Sequence, residues 1–162
     1  MKSFIDVSGR VSPAYKQIAE KVALDVIRLT SQPDVFEVAI QFVSESEIQK
    51  INNEFRGINK VTDVLSFPAL ELSAGDIVDE ASFDVLVLKN EKDLIQLGDM
   101  VLCTKRMKQQ AKDFGVTAEA ELKKLVIHSM LHLFGYDHME DEERAQMEQM
   151  QRDILSGLNI LR

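Results

Sequence analysis

The chain contains three histidines, and all of them fall within the eleven residues HSMLHLFGYDH, 128–138. His128 and His132 are four residues apart, so on a helix they leave the same face one turn from each other. Ring nitrogens set out this way reach a single cation at about 2.0–2.1 Å, the zinc–imidazole distance. Gly135 can take a positive φ and turn the chain back, letting His138 approach from the far side. Three neutral imidazoles leave a divalent ion its full charge and one open position, where the pKa of water falls to about 7. Imidazole-only ligation on a compact frame favours zinc, while nickel, copper and iron also fit. The competing reading is a set of core histidines packed beside Met130, Leu131, Leu133 and Phe134; three at this spacing argue against it.

An H-x3-H-x5-H frame with glycine three places after the second histidine also occurs in metzincin proteases, which carry a glutamate base directly after the first histidine. Here that position is Ser129, which cannot act as that base. The metal frame therefore stands and peptide hydrolysis by that route does not.

A second candidate is Arg56, in NNEFRGINKVTDVLSFP, 52–68. A guanidinium holds phosphate with two parallel hydrogen bonds and stays charged at any working pH. It also complements the dipole at a helix C-terminus, and the residues alone leave these two readings equal. Thr62 and Asp63 read as capping or turn residues. Asp137 is a candidate acceptor for an imidazole N–H, or a general base. The acids from Glu140 to Glu143 suit the first turn of a helix.

These groups need elements to hold them. A short strand at 3–7 leads to Pro13, which opens a helix to about Leu29. VFEVAIQFV, 35–43, alternates as a strand does. Ser44 and Glu47 form a capping-box signature for a helix whose apolar face is Ile48, Ile51 and Phe55. TDVLSFP, 62–68, and LGDMVLC, 97–103, read as further strands, with another at 84–89. Thr104 is expected to cap a helix ending at Gly115, Thr117 the histidine helix ending at Gly135, and a last helix fills 140–156. Strands interleaved with helices predict a single α/β (α+β) domain over 1–162, layered around one sheet.

Three motifs in order, R-x5-TDVLSFP, GDMVLC and HSMLHLFGYDH, resemble the YbeY family of metal-dependent endoribonucleases that mature bacterial ribosomal RNA; the resemblance runs from about 35 to 150. It implies a mostly parallel four-stranded sheet with one antiparallel strand, helices on both sides, and a metal site at the end of a core helix. It also implies one zinc ion per chain on His128, His132 and His138, with Arg56 facing the metal cleft to meet RNA phosphate. The implied activity is single-strand-specific cleavage in ribosomal RNA maturation, at the 3′ end of 16S RNA, and in ribosome quality control. The implied partners are ribosomal RNA and the ribosome or its assembly proteins, with neither DNA nor membrane among them.

Three features depart from the family pattern. Ser129 stands where glycine is usual, Val116 stands where a histidine often follows the glycine, and the stretch 69–97 is long and acidic. That stretch holds seven acids against Lys89 and Lys92, a net of −5 out of −8, and is expected to be a solvated loop or arm. The overall charge argues against a general nucleic-acid-coating protein. Lys105, Lys108 and Lys112 share one helix stripe, a candidate RNA contact that reads more simply as a solvated face. With 6% aromatics and no Trp, no run of exposed rings for stacking bases is expected. A lone cysteine, Cys103, and no apolar stretch behind Lys2 suit the cytoplasm. Two other readings compete: a non-catalytic ribosome-assembly factor with a structural zinc, and a metallohydrolase of another substrate.

Overall fold

A computed structural model of the protein describes residues 3–82, 88–137 and 140–158. Four strands form one sheet in the order β1-β2-β4-β3: β1 (Phe4–Gly9), β2 (Phe36–Val43), β3 (Val64–Pro68) and β4 (Ile95–Cys103). β1, β2 and β4 run parallel, while β3 lies antiparallel to β4 with Leu65 opposite Val101. Five helices accompany them among the described residues: α1 (Pro13–Leu29), α2 (Glu45–Arg56), α3 (Thr104–Phe114), α4 (Ala118–Leu133) and α5 (Asp141–Gly157). This is the α/β architecture, mostly parallel with one antiparallel strand, that the motifs imply.

Local chemistry starts most of these elements where expected. Ser44 accepts from Glu47 N–H while Glu47 accepts from Ser44 N–H, a closed capping box on α2. Thr117 accepts from Ala120 N–H and starts α4. Thr104 does not cap α3: Cys103 occupies the cap position with no side-chain bond, and Thr104 is already helical. The strand runs into the helix without a break there, so β4's last residue serves as the boundary.

The two faces of the sheet are covered unequally. α1 and α4 pack on one face over the main core, which includes Val26, Phe36, Ile40, Met100 and Ile127. α2 covers the other face over a smaller cluster of Val43, Ile48, Leu65, Val101 and Cys103. Nine of the sixteen residues of α4 are buried, so it is a central helix rather than an amphipathic surface one. His128 and His132 are therefore mounted on a firmly packed central helix.

Gly98, in the GDM motif, brings β3 and α4 together. Its φ is +150°, and a Cβ there would lie 2.5 Å from Phe67 O and 2.8 Å from Leu133 Cδ2. The parallel register between β2 and β4 shifts beside it, at Glu37/Val38.

The acidic stretch is not simply solvated along its first half. Val78 is buried, Leu70 and Leu72 pack on the main core, and Gln32 donates to Asp76 O and accepts from Val78 N–H. The expected strand at 84–89 falls largely on 83–87, outside the described residues; Lys89 forms an isolated antiparallel bridge with Ile95. Among the described residues no helix is long and apolar enough to cross a membrane.

Candidate active site

The C-terminal half of α4 carries both helical histidines, half-buried, with Nε2 of His128 3.1 Å from Nε2 of His132. Their rings meet edge to face with centroids 4.7 Å apart. Two nitrogens about 2.0–2.1 Å from one tetrahedral ion lie about 3.3 Å from each other, so the pair suits shared ligation. The same separation is a hydrogen bond when one ring donates to the other. Nδ1 of His128 faces Gln151 Oε1 of α5 at a long 3.5 Å. A proton on Nδ1 leaves Nε2 bare for a cation.

After Leu133 the helix ends at Phe134, and Gly135 turns with φ +96°. A Cβ on Gly135 would lie 2.3 Å from Leu72 O, so the turn is closed over by the first part of the acidic stretch. Burial pushes the Tyr136 phenol upward, opposed by a backbone hydrogen bond with Gly75 from that stretch. His138 lies outside the described residues, and among the described residues no group of three or more His, Cys, Asp or Glu gathers as a metal site.

Arg56 and both helical histidines line one cleft of 820 Å³. The last turn of α2 delivers Arg56, and buried Asn52 donates to Lys60 O, tying down the loop that follows. β3 forms the floor beside α4, where Ser66 and Ser129 hydroxyls meet at 2.7 Å. Ser129 thus has a partner within the strand motif, and its departure from glycine adds a bond across the packed elements.

Asp63 lines the cleft in the turn role expected of it. It accepts from Val64 N–H at 2.7 Å and from Thr62 Oγ1 at 3.3 Å. Asp137 lines the cleft as well.

Several lining residues escaped the sequence reading. Gln110 of α3 donates to Asp63 Oδ2 at 3.0 Å and to buried Glu121 Oε2 at 3.2 Å, tying α3 to α4 and to the turn before β3. An amide between two carboxylates has no signature along the chain. Lys124 lines the cleft and also a second groove, of 570 Å³, between α4 and α5, which His128, Arg144 and Arg152 share. α3 presents Gln110 and Phe114 to the cleft, while its stripe turns elsewhere: Lys105 pairs with Glu45, and Lys108 lies over the Tyr15 ring.

No run of exposed rings is seen among the described residues, but two single exposed rings, Phe55 and Phe114, line the cleft. Phe55, read as part of the apolar face of α2, stands 65% exposed at the cleft, because the helix's last turn leaves it only the edge of Phe67 to lean on.

Comparison with known proteins matches residues 6–159 to the family model described as Endoribonuclease YbeY. The chain is similar to an Endoribonuclease YbeY of Caldicellulosiruptor bescii, 34% identical over 98% of this chain and 93% of the relative. It is also similar to one of Clostridium beijerinckii, 44% identical over 78% of this chain and 77% of that one. A Thermotoga maritima protein solved in solution superposes with a TM-score of 0.57 at 25% identity, covering 96% of this chain and 92% of that one.

Proposed function

The chain belongs to the YbeY family of endoribonucleases, and from that membership we propose a zinc-dependent cut in single-stranded ribosomal RNA during its maturation. The acting residues in this reading are Arg56, His128, His132 and His138, with the three histidines holding one zinc ion per chain. The observation that supports it is the convergence of Nε2 atoms 3.1 Å apart in a cleft that Arg56 also lines. Neutral imidazole donors half-buried on a rigid helix suit zinc, whose preferred ligands include them.

A divalent ion held this way, when bound, supplies Lewis acidity and activates water near neutral pH. The protein's own groups do the rest. Arg56 binds the scissile phosphate and balances the charge that grows on its oxygens in the transition state. His128 and His132, fixed by α4, orient the donor set so that little reorganisation accompanies the reaction. Lys124 holds a neighbouring phosphate, and Asp137 accepts from an imidazole or takes a proton from water. Ribosomal RNA, presented by the ribosome or its assembly proteins in the cytoplasm, is the substrate of this reading. Family membership favours it over a non-catalytic factor or a hydrolase of another substrate.

The test is elemental analysis of purified protein together with cleavage of ribosomal precursor RNA. Wild type should carry close to one zinc per chain and lose cleavage on chelation. His132→Ala should lose most of its zinc and at least about 100-fold in rate. Arg56→Ala should keep the metal and lose about 10²–10³-fold in rate, which Arg56→Lys does not restore because the planar fork is gone. A zinc ratio near zero under replete conditions, or variants that cut as fast as wild type, would sink the reading.

A further inference from the structure

Of the large hydrophobic side chains exposed among the described residues, two line the catalytic cleft: Phe55 at 65% and Phe114 at 60%. They come from the ends of two different helices, α2 and α3, and neither is needed to fill a core. Phe55 touches Phe67 edge to face at 5.4 Å, leaving most of its ring open. Phe114 has the Lys124 ammonium 5.8 Å from its ring centre. Lys124 thus stands beside Phe114, and Arg56 lines the same cleft as Phe55.

A flat apolar face next to a cation matches one chemical unit, a nucleobase joined to its phosphate. We propose that Phe55 and Phe114 are stacking platforms for unpaired bases of the RNA strand whose phosphates meet Arg56 and Lys124. This rests on the endoribonuclease reading of the cleft and adds how the strand is gripped and why it must be single. In a duplex the base faces are covered by their neighbours, so only splayed, unpaired bases reach the rings. Arg56 and Lys124 offer phosphate partners that an apolar peptide would leave unused, so a nucleic acid is the occupant these groups fit. Asp63, Glu121 and Asp137 also line the cleft, with Gln110 donating to the first two, while Arg56 stands exposed. The rings also answer the shortage of aromatics in the composition: two suffice when the fold brings them to one cleft.

Single-turnover cleavage of a short unpaired RNA with enzyme in excess tests this through the half-saturating enzyme concentration. Phe55→Ala and Phe114→Ala should each raise it about 5- to 100-fold, the span of one lost base stack. Phe55→Tyr and Phe114→Tyr should restore it, and melting temperatures should stay at the wild-type value because the rings are exposed. Wild type and both alanine variants should bind an oligonucleotide with abasic sites throughout equally. If wild type cuts RNA and both alanine variants keep its half-saturation, the platforms are overturned and the rings belong to a protein partner. If wild type cuts no RNA at all, the endoribonuclease reading fails first and this inference falls with it.

Discussion

At the scale of single residues, the site depends on groups whose roles come from what they touch. Ser129 is the clearest case, fully buried in the middle of α4 with its hydroxyl 2.7 Å from that of Ser66. A buried hydroxyl without a partner costs about 1–3 kcal/mol, whereas a made bond returns about 0.5–1.5 kcal/mol. Ser129→Ala should therefore lower stability by about 1 kcal/mol, and Ser66→Ala by a similar amount, in urea unfolding. The double variant should fall well short of the sum, because the second change removes a group already left without its bond. Strict additivity would mean that the two hydroxyls do not interact. His128 and His132 depend in the same way on their backbone. Their spacing was legible in the chain, while Gln151 beside Nδ1 of His128 was not, since it lies on another helix.

At the scale of elements, α4 presents His128 and His132, and the turn after it decides where the chain goes next. Gly135 is constrained twice over, by φ +96° and by Leu72 O only 2.3 Å from where a Cβ would stand. Gly135→Ala should cost at least about 2 kcal/mol, from left-handed strain and from displacing the segment that covers the turn. It should also weaken zinc binding, measured by competition with a chromogenic chelator. A variant as stable as wild type would show that residues 69–82 do not bear on the turn. Glycine at this point was readable as a helix stop. Its second reason, the close approach of Leu72, belongs to tertiary packing across 63 positions of chain. The same distinction holds for Gly98, whose place between Phe67 O and Leu133 could not be read from GDM alone.

At the scale of the whole molecule, a chain of net charge −8 must attract a polyanion through local cations. Arg56 and Lys124 line the cleft, so two phosphate contacts are expected there. For single strands the logarithm of affinity falls with the logarithm of salt by about 0.7 per contact, giving a slope near −1.4. Arg56→Ala should reduce its magnitude by about 0.7 in an equilibrium titration with a short RNA. A slope steeper than about −4 would mean that the lysines of α3 carry the binding instead. Composition and motif order determined the α/β class, the helices that start at Ser44 and Thr117, and the imidazole pair, because each rests on contacts within a few residues of chain. The cleft itself was decided only by folding. The ends of α2, α3 and α4 meet at β3 because antiparallel pairing sets Leu65 against Val101 and Gly98 lets α4 close on the sheet. That approach made Phe55, on the apolar face of α2, an exposed wall of the cleft and bound Gln110 between two acids. Spacing along a chain records which side chains share a helix face; which faces then confront each other depends on how separate elements bury their apolar surface together.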